Sequence, residues 1–459
     1  VKAFVIGQPI SHSLSPTIFR MIAEIEQSSL NYSAAEVTPE KLSSFFEDLR
    51  EDDDFVGANV TIPHKEAALI LVDEASAEAK VVGAVNVILA GPRKLKGYNT
   101  DVVGIRKTLE IQNFKAGEKT ALVLGAGGSA RAVAYVLAEA GAKIIFIYNP
   151  RSARGDALCE SLQKYFSGTR FHSVRDLKSV SDLIDLVVNC TPIGMKGEVS
   201  DFFEPLLSLA YAPHALAFDL LYTPTDLLFL RTMRKQGLAC VDGLNMLIEQ
   251  ALATWELWIG KLHHADELRV KITASLSAIL SARENPNPIF LTGFMGVGKS
   301  TIARELSYAL NRRCYDTDRL IEETAKATVS EIFAKDGETH FRALEMDAIQ
   351  KATKLEHSVI ALGGGALNHA PSLEAVLNGG TLVYLKANES TLYRRLKKRA
   401  HLRPLLANLD DAQMKQKISD MLKLRTPIYE RAPVQVEIKA DDTPYDTAQT
   451  VVSALGRRR

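Results

Sequence analysis

Ile289-Phe290-Leu291-Thr292-Gly293-Phe294-Met295-Gly296-Val297-Gly298-Lys299-Ser300 joins a short apolar run to a helical-period segment through a turn of the pattern GxxxxGK[ST]. Composition alone yields that pattern in about 2% of chains of this size, and a strand before it with a helix after it make chance rarer still. Gly293, Gly296 and Gly298 let backbone N–H groups converge on phosphate oxygens. Lys299 brings a cation to the transferring group, and the Ser300 hydroxyl suits Mg²⁺. The stretch predicts a parallel α/β domain that binds a nucleoside triphosphate. Downstream, Asp316-Thr317-Asp318 follows the expected second strand, where alternate side chains point the same way. One carboxylate of Asp316 and Asp318 facing the metal and the other facing an acceptor hydroxyl fit in-line transfer. On spacing alone a solvated acidic turn fits the same residues equally well.

The alternation of β-branched runs with helical-period segments continues in both directions, with strands expected near 3–6, 58–61, 121–124, 144–148, 186–189, 217–220, 359–362 and 381–385. A second glycine turn, Gly125-Ala126-Gly127-Gly128-Ser129-Ala130, lies between a strand and a helix and has the GxGxxG/A form. That form is weak by itself, arising in roughly one chain in three by composition. Its context makes Gly125, Gly127, Gly128 and Ala130 a dinucleotide turn. After the next strand, where an acid would hold the adenosine ribose, stand Asn149-Pro150-Arg151-Ser152-Ala153-Arg154. An acid replaced by Asn149, with Arg151 and Arg154 close by, points to a 2′-phosphate and hence to NADP. Two exposed arginines opening a helix remain the plainer alternative.

The fold class expected is α/β: an N-terminal substrate domain (1–105 plus 240–280) with an inserted Rossmann-type domain (106–239), then a P-loop domain (289–459). The connector is placed at 281–288, where Pro286 and Pro288 stop the amphipathic stretch 266–280. The length, 459 residues, suits about three domains and rules out a single small module. Hydrophobic residues at 46% and charged residues at 24% exclude a largely disordered chain. Lys plus Arg (55) equals Asp plus Glu (55), so no global field draws nucleic acid or anionic lipid. Four widely spaced cysteines without CxxC argue against disulfides and a zinc site. With no leader-like start and no long apolar run, a cytoplasmic protein is expected. His263-His264 reads as solvated helix histidines, Trp255 and Trp258 as packing residues, and Glu51 to Asp54 and Arg457 to Arg459 as solvated charge.

Six ordered blocks in the C-terminal module resemble the shikimate kinase family: residues 293–301, 316–318, 341–345, 362–365, 402–406 and 425–429. The resemblance implies that Asp318, Arg342, Gly364 and Arg425 hold shikimate, the two arginines gripping its carboxylate. It further implies that Thr301 joins the nucleotide loop, Arg395 packs on adenine, and Arg403 closes on the phosphates from a lid at 400–411.

The first 280 residues resemble shikimate dehydrogenase through Ser13-Leu14-Ser15-Pro16, residues 57–65, Ala84-Val85-Asn86, Asn99-Thr100-Asp101, residues 189–195, Asp219-Leu220-Leu221-Tyr222 and residues 242–250. Lys65 and Asp101 are then the catalytic pair. Ser13, Ser15, Asn59, Thr61, Asn86, Tyr222 and Gln250 hold the carboxylate and hydroxyls of the substrate. Pro150 displaces the arginine that family members carry directly after the asparagine, and Asn245 stands where glycine is common. The combined expectation is a bifunctional enzyme that takes 3-dehydroshikimate to shikimate and then to shikimate 3-phosphate, using NADP, ATP and Mg²⁺. The rivals are a non-catalytic metabolite sensor and a first site acting mainly on quinate with NAD.

Overall fold

A computed structural model of the chain describes residues 1–10, 13–149, 153–195, 201–223, 226–397 and 409–456. It divides into two compact units, Val1–Ala274 and Ser275–Arg459.

The first unit holds two six-stranded sheets. One comprises β1 (Lys2–Gly7), β2 (Asn31–Glu36), β3 (Phe55–Val60), β4 (Glu74–Ala75), β5 (Val87–Gly91) and β6 (Lys94–Tyr98) in the order β2-β1-β3-β5-β6-β4. It is mixed: β1 pairs in parallel with β2 and β3, while β5 runs antiparallel to β3 and β6. The sequence expectation covered β1 and β3 and missed the rest. β2 is a largely exposed edge strand without an apolar face, and β5 and β6 form a hairpin around Arg93, the latter half polar.

The second sheet comprises β7 (Thr120–Leu124), β8 (Ile144–Tyr148), β9 (Arg170–Val174), β10 (Ile184–Asn189), β11 (Tyr211–Asp219) and β12 (Ala239–Val241). All its pairings are parallel, in the order β12-β11-β10-β7-β8-β9. Alternate residues of β7 feed the two faces: Ala121 and Val123 pack into one core, Leu122 and Leu124 into the other. Both faces are covered, which is why these strands read as continuous apolar runs. The chain reverses between β7 and β10, so their carboxyl ends open a crevice.

In the second unit β13 (Ile289–Thr292), β14 (Arg313–Asp316), β15 (Ser358–Ala361), β16 (Thr381–Lys386) and β17 (Val434–Glu437) form a parallel sheet in the order β14-β15-β13-β16-β17. The central strand β13 leads into the phosphate-cradling turn. The connector expected at 281–288 needs correction. The helix Ala265–Glu284 runs through its first four residues, and the division into units falls inside that helix. Pro286 and Pro288 restrict only themselves and the residues just before them, so Ser281 to Glu284 remain free to stay helical. Trp255 and Trp258 are buried, as packing residues should be. His263 and His264 lie against the buried carboxylate of Glu26, which also accepts their backbone N–H groups.

Candidate active sites

In the first unit, Lys65 opens the helix Lys65–Leu71 after β3 and Asp101 opens the helix Asp101–Ile111 after β6. Lys65 Nζ lies 2.5 Å from Asp101 Oδ2, with the two side chains only 15% and 6% exposed. Asn86 Nδ2 donates to Asp101 Oδ1 at 2.8 Å, so both carboxylate oxygens are held. Ser13, Ser15, Asn59, Thr61, Lys65, Asn86, Asp101, Tyr222 and Gln250 all line one cavity of about 310 Å³. The apolar part of that wall, including Ile10, Met195, Leu221 and Met246, was given no role from sequence. Apolar residues that close a pocket carry no chemical signature.

Several polar groups behind the wall were also missed as site residues. The Tyr32 hydroxyl donates to Asn59 Oδ1 at 2.8 Å, and Thr254 Oγ1 lies 3.4 Å from Asn59 Nδ2 and 3.1 Å from Thr100 Oγ1. Asp219, at the end of β11, accepts from Asn189 Nδ2 at 2.9 Å and from the Leu221 N–H at 3.1 Å through one oxygen. Its other oxygen is buried without a hydrogen-bond partner among the described residues. Burial pushes this carboxyl up to about 7, and the neighbouring Asp242 adds to the shift. The group thereby pins the Leu220–Tyr222 turn at the cavity edge.

The dinucleotide turn follows β7. Gly125 has φ +106°, a left-handed conformation strained for other residues. A Cβ on Gly127 would meet nothing within 4 Å, whereas one on Gly128 would touch Lys65 and Ala84. Gly127 therefore presents bare backbone to open space at the start of the helix Gly128–Glu139, whose first turn carries no acid. That arrangement fits a pyrophosphate. Ala130 is fully buried beneath it. Asn149 directly follows β8 and Arg154 opens the helix Arg154–Gln163. Arg151 lies outside the described residues.

In the second unit, a cavity of about 490 Å³ is lined by Gly296, Gly298, Lys299, Ser300, Thr301, Asp316, Asp318, Gly364 and Arg395. Gly293 begins the turn, and Lys299 Nζ donates to its carbonyl at 2.9 Å. Ser300 Oγ donates to Asp316 Oδ2 at 2.6 Å, while Asp316 Oδ1 caps the following helix through the Asp318 N–H. A hydroxyl and a carboxylate side by side beside the phosphate turn are hard oxygen donors suited to Mg²⁺, which keeps its remaining positions for water and phosphate. Among the described residues no group of three or more His, Cys, Asp or Glu side chains is placed to hold a metal. Burial and the Asp316 carboxylate push Asp318 up to about 6, with Lys299 opposing. Arg395 Nη1 donates to the Val297 carbonyl at 3.0 Å.

Arg342 and Arg425 reach the glycine turn 363–365 from two different helices. Arg425 Nη1 and the Tyr429 hydroxyl donate to the Gly364 carbonyl at 2.9 and 2.7 Å. Arg342 is held by Glu345 at 2.6 Å and by Glu338 at 3.1 Å. Both guanidinium groups are thus engaged by the protein itself. Glu345, Tyr429 and Thr317, whose hydroxyl accepts the Gly363 N–H at 2.9 Å, were not given roles from sequence. Arg403, with residues 400–408 of the lid expected at 400–411, lies outside the described residues.

Comparison with known proteins follows the same division. A family model for the shikimate dehydrogenase substrate binding domain matches residues 5–88, one for shikimate / quinate 5-dehydrogenase matches 108–196, and one for shikimate kinase matches 295–456. The NADP(+) shikimate dehydrogenase of Symbiobacterium thermophilum is 35% identical over 280 residues, covering 60% of this chain and 93% of the relative. That of Methylobacterium radiotolerans is 37% identical over 285 residues, covering 60% and 98%. Among solved structures, shikimate 5-dehydrogenase from Thermus thermophilus in complex with NADP(H) and shikimate aligns with TM-score 0.51 and 32% identity over 60% of this chain and 98% of that one. The chain belongs to the shikimate dehydrogenase family through its first unit and carries a shikimate kinase domain in its second.

Proposed function

We propose that this protein is a bifunctional shikimate-pathway enzyme: it reduces 3-dehydroshikimate to shikimate with NADPH, then phosphorylates shikimate to shikimate 3-phosphate with MgATP. The observation that carries the reading is the convergence of Lys65, Asp101 and seven further polar side chains on one cavity in the first unit. A cavity lined by Lys299, Ser300 and Asp318 in the second supplies the matching phosphoryl-transfer site. The product of the first reaction is the substrate of the second.

NADPH bound at the glycine turn supplies the hydride. Lys65 and Asp101 flank the carbonyl oxygen of the substrate and deliver its proton, and Asn86 holds Asp101 in place. Ser13, Ser15, Asn59, Thr61, Asn86, Tyr222 and Gln250 receive the ring carboxylate and hydroxyls. Gly125, Gly127, Gly128 and Ala130 seat the pyrophosphate, with Asn149, Arg151 and Arg154 toward the 2′-phosphate.

In the second unit Gly293, Gly296, Gly298, Lys299 and Thr301 bind the phosphates of ATP, Ser300 and Asp316 hold Mg²⁺, and Arg395 covers the adenine. Asp318 takes or orients the proton of the attacking 3-hydroxyl. Burial makes this carboxylate more basic than a solvated one, which suits that task. Arg342 and Arg425, at the Gly364 turn, receive the carboxylate of shikimate. Arg342 then exchanges its exposed partner Glu338 for the ligand. Arg403 closes on the phosphates. Each pocket keeps its reactive groups, which a metabolite sensor has no use for.

The test supplies purified protein with 3-dehydroshikimate, NADPH and MgATP. Substrate-dependent NADPH oxidation followed by shikimate-dependent ADP formation is expected. Absence of both overturns the reading, and higher kcat/KM for quinate with NAD overturns the choice of first substrate.

A further inference from the structure

The wall behind the first cavity contains a hydrogen-bonded chain whose directions are set by one residue. Thr254 lies on the helix Leu244–Trp258 and is fully buried. Its hydroxyl donates to the Gln250 carbonyl at 2.7 Å, which commits its single proton. The oxygen is then an acceptor for its other two neighbours. Thr100 Oγ1, 3.1 Å away, donates to it, and Asn59 Nδ2 donates at 3.4 Å.

Each of these donors has a consequence at the cavity. With its proton given to Thr254, Thr100 Oγ1 accepts from Asn86 Nδ2 at 3.1 Å, and the Thr100 backbone N–H donates to Asn86 Oδ1 at 2.7 Å. The amide of Asn86 is thereby fixed with its remaining hydrogen on Asp101 Oδ1 at 2.8 Å, leaving Oδ2 for Lys65. On the other side, Asn59 Oδ1 accepts from Tyr32 at 2.8 Å and one Nδ2 hydrogen goes to Thr254. Its second hydrogen is left for the cavity that Asn59 lines.

We propose that Thr254 is a positioning residue for the reduction, its one hydroxyl setting both the substrate-holding amide of Asn59 and, through Thr100 and Asn86, the Lys65–Asp101 pair. The inference rests on the reading of this cavity as the 3-dehydroshikimate site. Thr254 is not among the residues that line the cavity. In a water-poor interior a hydroxyl that loses its partners cannot be replaced cheaply, so the chain acts as a unit.

Thr254→Val keeps the shape and removes the hydroxyl. It is expected to lower kcat/KM for 3-dehydroshikimate by about tenfold, with KM raised through Asn59 and kcat lowered through Asp101. Thr254→Ser restores the wild-type values to within about threefold. Thr100→Val, which breaks only the branch toward Asn86, lowers kcat and, because Asn59 keeps its bond to Thr254, raises KM less than Thr254→Val does. Folded, cofactor-binding enzyme in each sample is counted by NADPH titration, so a loss of native protein is separated from a change in KM. The proposal is overturned if Thr254→Val leaves both constants unchanged per active site, if the valine and serine variants are equally impaired, or if Thr100→Val moves KM as far as Thr254→Val does. Wild-type protein that fails to reduce 3-dehydroshikimate overturns the functional reading and this inference with it. Active wild-type enzyme with an unaltered valine variant overturns the inference alone.

Discussion

Asp219 ends β11 with one carboxylate oxygen bonded to Asn189 and Leu221 and the other buried without a partner among the described residues. Burial raises its titration from 3.8 to about 7. A carboxyl shifted upward in the folded state favours folding while protonated, and that contribution is lost as pH rises from about 4 through about 7. Asp219→Asn keeps an oxygen for both donors and has no proton to lose. The wild-type melting temperature is therefore expected to fall more than that of the variant between pH 5 and pH 8, read by scanning calorimetry at both values. Equal falls would show that Asp219 is charged in the folded protein without penalty. In the sequence Asp219 is one acid after an apolar run. Its desolvation depends on what packs over it.

Among the elements, β3 and the helix Leu244–Trp258 show how close approach selects residue type. The Trp258 indole donates to the Ile88 carbonyl at 2.9 Å and lies over Gly57, where a Cβ would collide with Nε1. Gly57→Ala is expected to cost about 1–3 kcal/mol and to loosen the helix that carries Gln250 and Thr254, measured as a lower urea midpoint for the first unit. Arg312 has a comparable role in the second unit. Its buried guanidinium donates to the carbonyls of Ala282, Asn285, Asn287 and Ser358, and burial lowers it to about 10. Arg312→Met strands those acceptors and is expected to destabilise that unit by about 3 kcal/mol, seen as an earlier unfolding transition. Most of the strands foreseen carry runs of buried apolar residues. The edge strands β2 and β17 were missed because exposure leaves them little apolar signal.

For the molecule as a whole, the two sites lie in separate compact units, each with its own lysine. Lys65→Ala is expected to lower NADPH-dependent reduction by at least about a hundredfold while leaving ATP-dependent phosphorylation intact, and Lys299→Ala to do the reverse. Loss of both activities from either change would contradict independent chemistry. The two glycine turns and the two sets of motif residues were legible because each depends on neighbours within a few positions: a strand, a tight turn and a helix start. Local order of that kind determined the α/β class and the nucleotide turns, and most of the other candidates that line the two cavities came from the resemblance to the two families. Tertiary structure alone decided that Tyr32, Asn59, Thr100 and Thr254 share one hydrogen-bonded chain, with Asn59 and Thr254 lying 195 positions apart. It also decided that Glu338 and Glu345 hold Arg342, and that the helix from Ala265 continues past the expected boundary. Hydrogen-bond direction and desolvation are properties of what packs around a group, and packing between distant segments leaves no periodicity in the chain.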